Sequence, residues 1–135
     1  MSAWLGARLA AARGRLSATA GRLAAAGLLV LAGAAFAHAM LDRASPAVGS
    51  RVAASPARVE LWFTERLEPA FSSVKVLDAG GHRVDRRDAT FDPKDPAHVS
   101  VSVPPLGAGR YRVVWRAVSV DTHTTSGDYT FDVAP

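Results

Sequence analysis

No cysteine occurs in the 135 residues. This excludes disulfide staples, thiolate nucleophiles and the softest ligands for zinc, iron–sulfur clusters or cuprous copper. Acidic residues are missing from the whole N-terminal part, where no Asp or Glu precedes Asp42 and Arg8, Arg13, Arg15 and Arg22 are the only charged side chains in the first 37 residues. Removing those four from the 16 Lys and Arg leaves 12, against 12 Asp and Glu, so residues 38–135 are formally neutral. The basic character therefore belongs to the leader and gives no reason to expect nucleic-acid binding. A long hydrophobic run is missing too. The stretch from Leu23 to Phe36 has 14 residues, short of the roughly 20 a spanning helix needs.

An arginine-bearing, acid-free leader with a short apolar core and the small-x-small site Ala35-Phe36-Ala37 reads as a Sec-type signal peptide over 1–37, helical in its apolar part and cleaved after Ala37. There is no Arg-Arg pair to suggest twin-arginine export. Cleavage makes His38 the first residue of a 98-residue domain, 38–135, that is expected to be exported to the periplasm or secreted. An N-terminal histidine offers both its α-amine and its imidazole Nδ1 to one cation, which an internal histidine cannot do. Targeting and chemistry are then one event.

The domain reads as all-β. Val59, Leu61 and Phe63 alternate with Glu60, Trp62 and Thr64, the period-2 pattern of a strand with one buried face. A second strand is expected over Phe71–Leu77, closed by the turn Asp78-Ala79-Gly80-Gly81. Val99, Val101 and Val103 form a third, stopped by Pro104-Pro105. Tyr111, Val113, Trp115 and Ala117 give a fourth, and Tyr129, Phe131 and Val133 a fifth. Short strands separated by Pro-, Gly- and Asp-rich turns predict a small Greek-key β-barrel or sandwich, immunoglobulin- or cupredoxin-like. Trp115 is expected inside, with Trp62 pointing away from the main apolar face.

Beyond that fourth strand lies Asp121-Thr122-His123. In extended backbone, residues i and i+2 project to one side, so the carboxylate of Asp121 and the imidazole of His123 can converge. A solvated polar loop would look the same; the candidate N-terminal histidine makes the pair more telling. His82, after a Gly-Gly turn, and His98, on the polar side of its strand, are expected to serve as surface side chains.

These stretches together resemble the CopC family of periplasmic copper-resistance proteins. The resemblance runs through His38-Ala39-Met40-Leu41, Ser45-Pro46-Ala47-Val48-Gly49, Leu61-Trp62-Phe63-Thr64-Glu65, Glu68-Pro69-Ala70-Phe71 and Tyr111 to His123, then Gly127 and Phe131. It implies a Greek-key β-barrel binding one Cu(II) through His38, Asp121 and His123, with Glu65 close to the metal as an auxiliary group. The chemistry agrees, since an amine, two imidazoles and a carboxylate suit tetragonal Cu(II). A free α-amine titrates near ~8 and a free imidazole near ~6.5, so capture releases protons and weakens on acidification. The sequence departs from the family at Thr122, where glycine is common. Beyond the leader it has only Met40, so no methionine-built Cu(I) site is expected. The expected role is sequestration or delivery of copper by a non-enzymatic monomer, with a separate membrane copper transporter as partner. Two other functions fit the composition: a metal-free immunoglobulin-like interaction domain, and a copper oxygenase built on paired histidines. The small surface and the Asp121 carboxylate disfavour the second.

Overall fold

The computed structural model describes residues 38–135; the expected signal-peptide helix and the Ala37 side of the expected cleavage site lie outside them. Eight strands follow in order: β1 Leu41–Ser45, β2 Arg51–Val52, β3 Arg58–Phe63, β4 Ser73–Leu77, β5 Thr90–Asp92, β6 Asp95–Ser102, β7 Gly109–Val118 and β8 Thr124–Val133. They form two four-stranded sheets, β1-β3-β6-β5 and β2-β8-β7-β4. Only β5–β6 and β7–β8 are consecutive neighbours within a sheet; every other connection crosses between sheets, as in the expected Greek-key sandwich. No helix occurs among the described residues, so none is long and apolar enough to cross a membrane.

The alternating residues meet between the sheets. Val59, Leu61 and Phe63 of β3 and Val99 and Val101 of β6 face Val74 and Val76 of β4, Val113 and Trp115 of β7, and Tyr129, Phe131 and Val133 of β8. Phe63 and Trp115 pack edge to face at 5.2 Å between ring centroids, the arrangement the aromatic quadrupole favours. Gly127 pairs with Trp115 across β7 and β8, and a Cβ there would lie 2.6 Å from the indole. Gly127 is therefore a packing requirement of the tryptophan.

Four boundaries differ from the sequence expectation. β4 begins at Ser73, because Phe71 belongs to a turn in which its amide and that of Ser72 donate to the Glu68 carbonyl, leaving the Phe71 ring 64% exposed. The short strands β1, β2 and β5 carry too few residues for a period-2 signal. In β1 the pattern is also broken by a bulge, since Leu41 pairs with Phe63 and Arg43 with Trp62. The extra residue turns Leu41 toward the core and Arg43 outward, over the Trp62 ring at 4.1 Å. His98 stacks on Trp62 at 4.5 Å, with the ring planes nearly parallel. The outer face of this sheet thus carries an Arg43–Trp62–His98 stack, which gives the outward-pointing tryptophan its packing.

One buried carboxylate pins the long β4–β5 connection. Asp85 accepts hydrogen bonds from the amides of Val76 and Arg87, both at 2.8 Å, and from the Arg83 guanidinium at 2.9 and 3.0 Å. Burial pushes its carboxyl up, but Arg83 and the two amides outweigh this and hold it below the usual carboxylate range. A depressed folded pKa stabilises above the unfolded value of ~3.9, and that contribution drains away as pH falls through the folded pKa. Asp85→Asn is expected to destabilise the domain by about 3 kcal/mol at neutral pH. Denaturant unfolding should show this gap narrowing below about pH 4. A gap constant down to pH 2 would refute the role of the charge.

Candidate metal centre

The loop between β7 and β8 is closed by the Ser119 amide, which donates to the His123 carbonyl at 2.9 Å, and the Thr122 amide donates to the Ser119 carbonyl at 2.8 Å. Three residues, Val120 to Thr122, make the bend, a hairpin loop of the length that usually ends in a left-handed residue. Thr122 is that residue, with φ +73°. Glycine adopts this backbone without cost and threonine does not. The departure at Thr122 therefore leaves the loop in the glycine-type conformation, under strain.

Ser119 is almost fully buried, and its hydroxyl donates to Asp121 Oδ1. Asp121 Oδ2 lies 3.2 Å from His123 Nδ1. The Ser119 hydroxyl, ahead of His123, holds the Asp121 carboxyl below its ordinary range, so it is ionised at neutral pH. A further bond runs from the Val120 amide to the Arg66 carbonyl at 3.1 Å, tying this loop to the segment after β3.

His38 comes to the same place from the other end of the sequence. Its ring stands edge-on to that of His123, 5.1 Å between centroids and 82° between planes. The structure thus brings together His38, Asp121 and His123, although the first two stand 83 positions apart in the sequence. Glu65 lies in the segment after β3, one residue beyond Thr64, and is partly buried.

Among the described residues, no three His, Asp or Glu side chains form a ready-made metal cage. Asp121 gives one oxygen to Ser119 and the other to the His123 ring, so the side chains alone converge as two imidazoles with a carboxylate behind one of them. The further nitrogen donor in this sequence is the His38 α-amine, which exists only when the chain starts there.

The remaining histidines are placed as the sequence indicates. The His82 side chain is 82% exposed beside Asp78. His98 has Glu60 3.1 Å from Nε2 and Asp92 3.7 Å from Nδ1. Those carboxylates flank opposite nitrogens of one ring, an arrangement for holding an imidazole rather than a cation. Sequence reasoning assigned no role to three residues of the site: Ser119 and Thr64, which entered only within the resembling stretches, and Thr125. Each acts through a hydroxyl bond to backbone or to a neighbouring side chain, and serine and threonine are too common at strand ends for composition to reveal it.

Fold and site define a two-sheet β-sandwich with paired imidazoles at one end, one of them on the first described residue. The family model of the CopC domain matches residues 41–134, and the chain belongs to that family. It is 41% identical over 117 residues to copper resistance protein C of Pseudomonas syringae pv. tomato, covering 82% of this chain and 91% of that protein. It is 38% identical over 108 residues to the copper transport protein CutJ of Bacillus subtilis, of which it spans only 20%. Among solved structures it is similar to CopC from Methylosinus trichosporium OB3b, with TM-score 0.69 and 39% identity over 73% of this chain and 95% of that one. It is also similar to PcoC, a methionine-rich copper resistance protein from Escherichia coli, with TM-score 0.63 and 38% identity over 72% of this chain and 99% of that one. The match spans nearly the whole of both solved chains.

Thr122→Gly is expected to raise stability by up to ~1 kcal/mol, strain relief exceeding the entropy cost of glycine. A lower melting temperature for the variant would contradict the strained-loop assignment.

Proposed function

We propose that this protein is an exported copper-binding protein that takes up one Cu(II) ion at the His38–Asp121–His123 cluster and sequesters or delivers it. The observation carrying this reading is the approach of the His38 and His123 rings, edge to face at 5.1 Å, beside an ionised carboxylate. Two imidazoles, an α-amine and a carboxylate are the nitrogen and oxygen donors that Cu(II) favours. The names of the relatives, copper resistance protein C and copper transport protein CutJ, support the same cargo.

The roles follow from the chemistry of each group. His38 supplies its amine and imidazole, which together chelate. His123 supplies the second imidazole. Asp121 supplies negative charge that offsets part of the cation's. Its contact with Nδ1 of His123 favours a second role, as the acceptor that fixes the orientation of that ring. Glu65, close by in sequence to Thr64, is proposed as an auxiliary oxygen acceptor. Only Met40 offers a thioether after the leader, so the site is proposed as a Cu(II) site without a methionine-based Cu(I) partner. Processing after Ala37 in the periplasm or outside the cell creates the amine, and a membrane copper transporter is the proposed exchange partner. Catalysis is not part of the proposal.

Intact-mass analysis of the exported protein should give a chain beginning at His38. Cu(II) titration of that chain should show one tight site. Adding a single residue ahead of His38, or replacing His123 with Ala, should each weaken binding by at least about 100-fold, a change of ~2.7 kcal/mol. Equal binding by the extended chain would refute the chelate, and normal binding by His123→Ala would refute the assignment of that imidazole. Asp121→Asn separates the two roles of the carboxylate: a changed Cu(II) spectrum marks a lost ligand, and an unchanged spectrum with weaker binding marks the orienting role.

A further inference from the structure

The three residues that open the domain are held by more than the sheet ladder. Ala39 has no exposed surface and belongs to the core cluster, whereas His38 and Met40 on either side of it face solvent. The Thr64 hydroxyl accepts a hydrogen bond from the Met40 amide at 3.0 Å and donates one to the His38 carbonyl at 3.3 Å. One hydroxyl has a single proton to give and lone pairs to receive, so both bonds are satisfied at once. The Thr64 amide donates to the Met40 carbonyl at 2.9 Å. From the other sheet, the Thr125 hydroxyl donates to the Ala39 carbonyl at 2.5 Å. Thr64 lies just after β3 and Thr125 is the second residue of β8, two residues from His123. The terminal arm is thereby clamped between the two sheets.

We infer that Thr64 and Thr125 are positioning residues for the metal centre, fixing the His38–Met40 backbone so that the amine and ring of His38 stand in place before copper arrives. The inference rests on the proposed copper site and adds the device that builds it. Chain termini are ordinarily mobile, and a mobile chelate loses ordering entropy each time it binds. Here folding has already met that loss, because burial of Ala39 and the hydroxyl bonds restrain the arm. The same clamp fixes the register. Ala39 fills a core position, so only cleavage directly before His38 leaves an amine beside the His123 ring. An arm one residue longer carries its amine about 3.8 Å further along the chain.

The test uses the domain beginning at His38 and three variants: Thr64→Val, Thr64→Ser and Thr125→Val. Two readouts are independent of each other. Amide hydrogen exchange on the copper-free native domain should show the Met40 N–H protected at least about tenfold over an unstructured peptide. The protection should fall in Thr64→Val and return in Thr64→Ser, which keeps the hydroxyl. Release of Cu(II) to a chelator should be about tenfold faster from Thr64→Val and from Thr125→Val, and near native from Thr64→Ser. The Cu(II) spectrum should be unchanged in all three, because neither hydroxyl is a ligand.

Free exchange of the Met40 amide in the native domain would overturn the clamp whatever copper does. Native release rates from Thr64→Val and Thr125→Val would overturn its positioning role, and so would an altered spectrum. Failure of the native domain to take up Cu(II) would instead sink the copper reading, while the exchange result would still decide the clamp. If Thr64→Val does not fold, the native exchange measurement and the Thr64→Ser variant carry the test.

Discussion

Burial of the Ala39 methyl group between the sheets is the constraint on which the site depends. A side chain this small adds little hydrophobic free energy by itself, about 1 kcal/mol. Its position matters more than its size. Once Ala39 points into the core, His38 and Met40 must point out, and hydroxyls from opposite sheets close on the backbone around it. His38 becomes as well placed as a residue on a strand. The second histidine is set by another route, through a three-residue loop closed at Ser119 and His123 and held in a conformation its threonine resists.

The two halves of the site therefore come from parts of the sequence with different mechanical properties. His123 and Asp121 sit on the short β7–β8 hairpin loop, with Ser119 buried beneath them. His38 sits on an arm whose order comes from side-chain hydroxyls and a single methyl group. A β-sandwich suits this division, since its rigid ladders hold the loops at one end while the core admits the arm at the edge of β3. The outer faces use charge differently. The pairs Arg110–Asp132 and Arg112–Asp128 run along the β7–β8 face, exposed and solvated. Such pairs contribute little stability and lie apart from the His38–His123 cluster.

Much of this was legible in the sequence, and for definable reasons. The long inner strands announced themselves because one face of each is buried, which forces alternation in Val59–Leu61–Phe63 and Tyr111–Val113–Trp115–Ala117. The candidate ligands were visible because His38 follows a cleavage signature, and because Asp121 and His123 stand two residues apart just past the fourth expected strand. Strands β1, β2 and β5 were not legible, being two to five residues long or broken by the bulge at Asp42. Gly127 was noticed only as part of a resemblance; its reason, contact with the Trp115 indole, exists only once β7 and β8 pair. The roles of Thr64, Ser119 and Thr125 were invisible: the partners of the two threonines lie 26 and 86 residues away, and the bond of Ser119 to Asp121 exists only once the loop has folded. The strain at Thr122 was half legible: the missing glycine could be seen, but the positive φ that gives it meaning could not.

The central claim is that removal of the leader places a free amine into a site the fold has already prepared. The most direct measurement is a crystal structure of the copper-loaded domain beginning at His38, refined beside its copper-free form. The account predicts a single copper between His38 and His123, bound by both the amine and the ring of His38, with the backbone of residues 38–40 unmoved between the two forms. Copper bound without the amine, or an arm that moves away from Thr64 and Thr125 on loading, would contradict it.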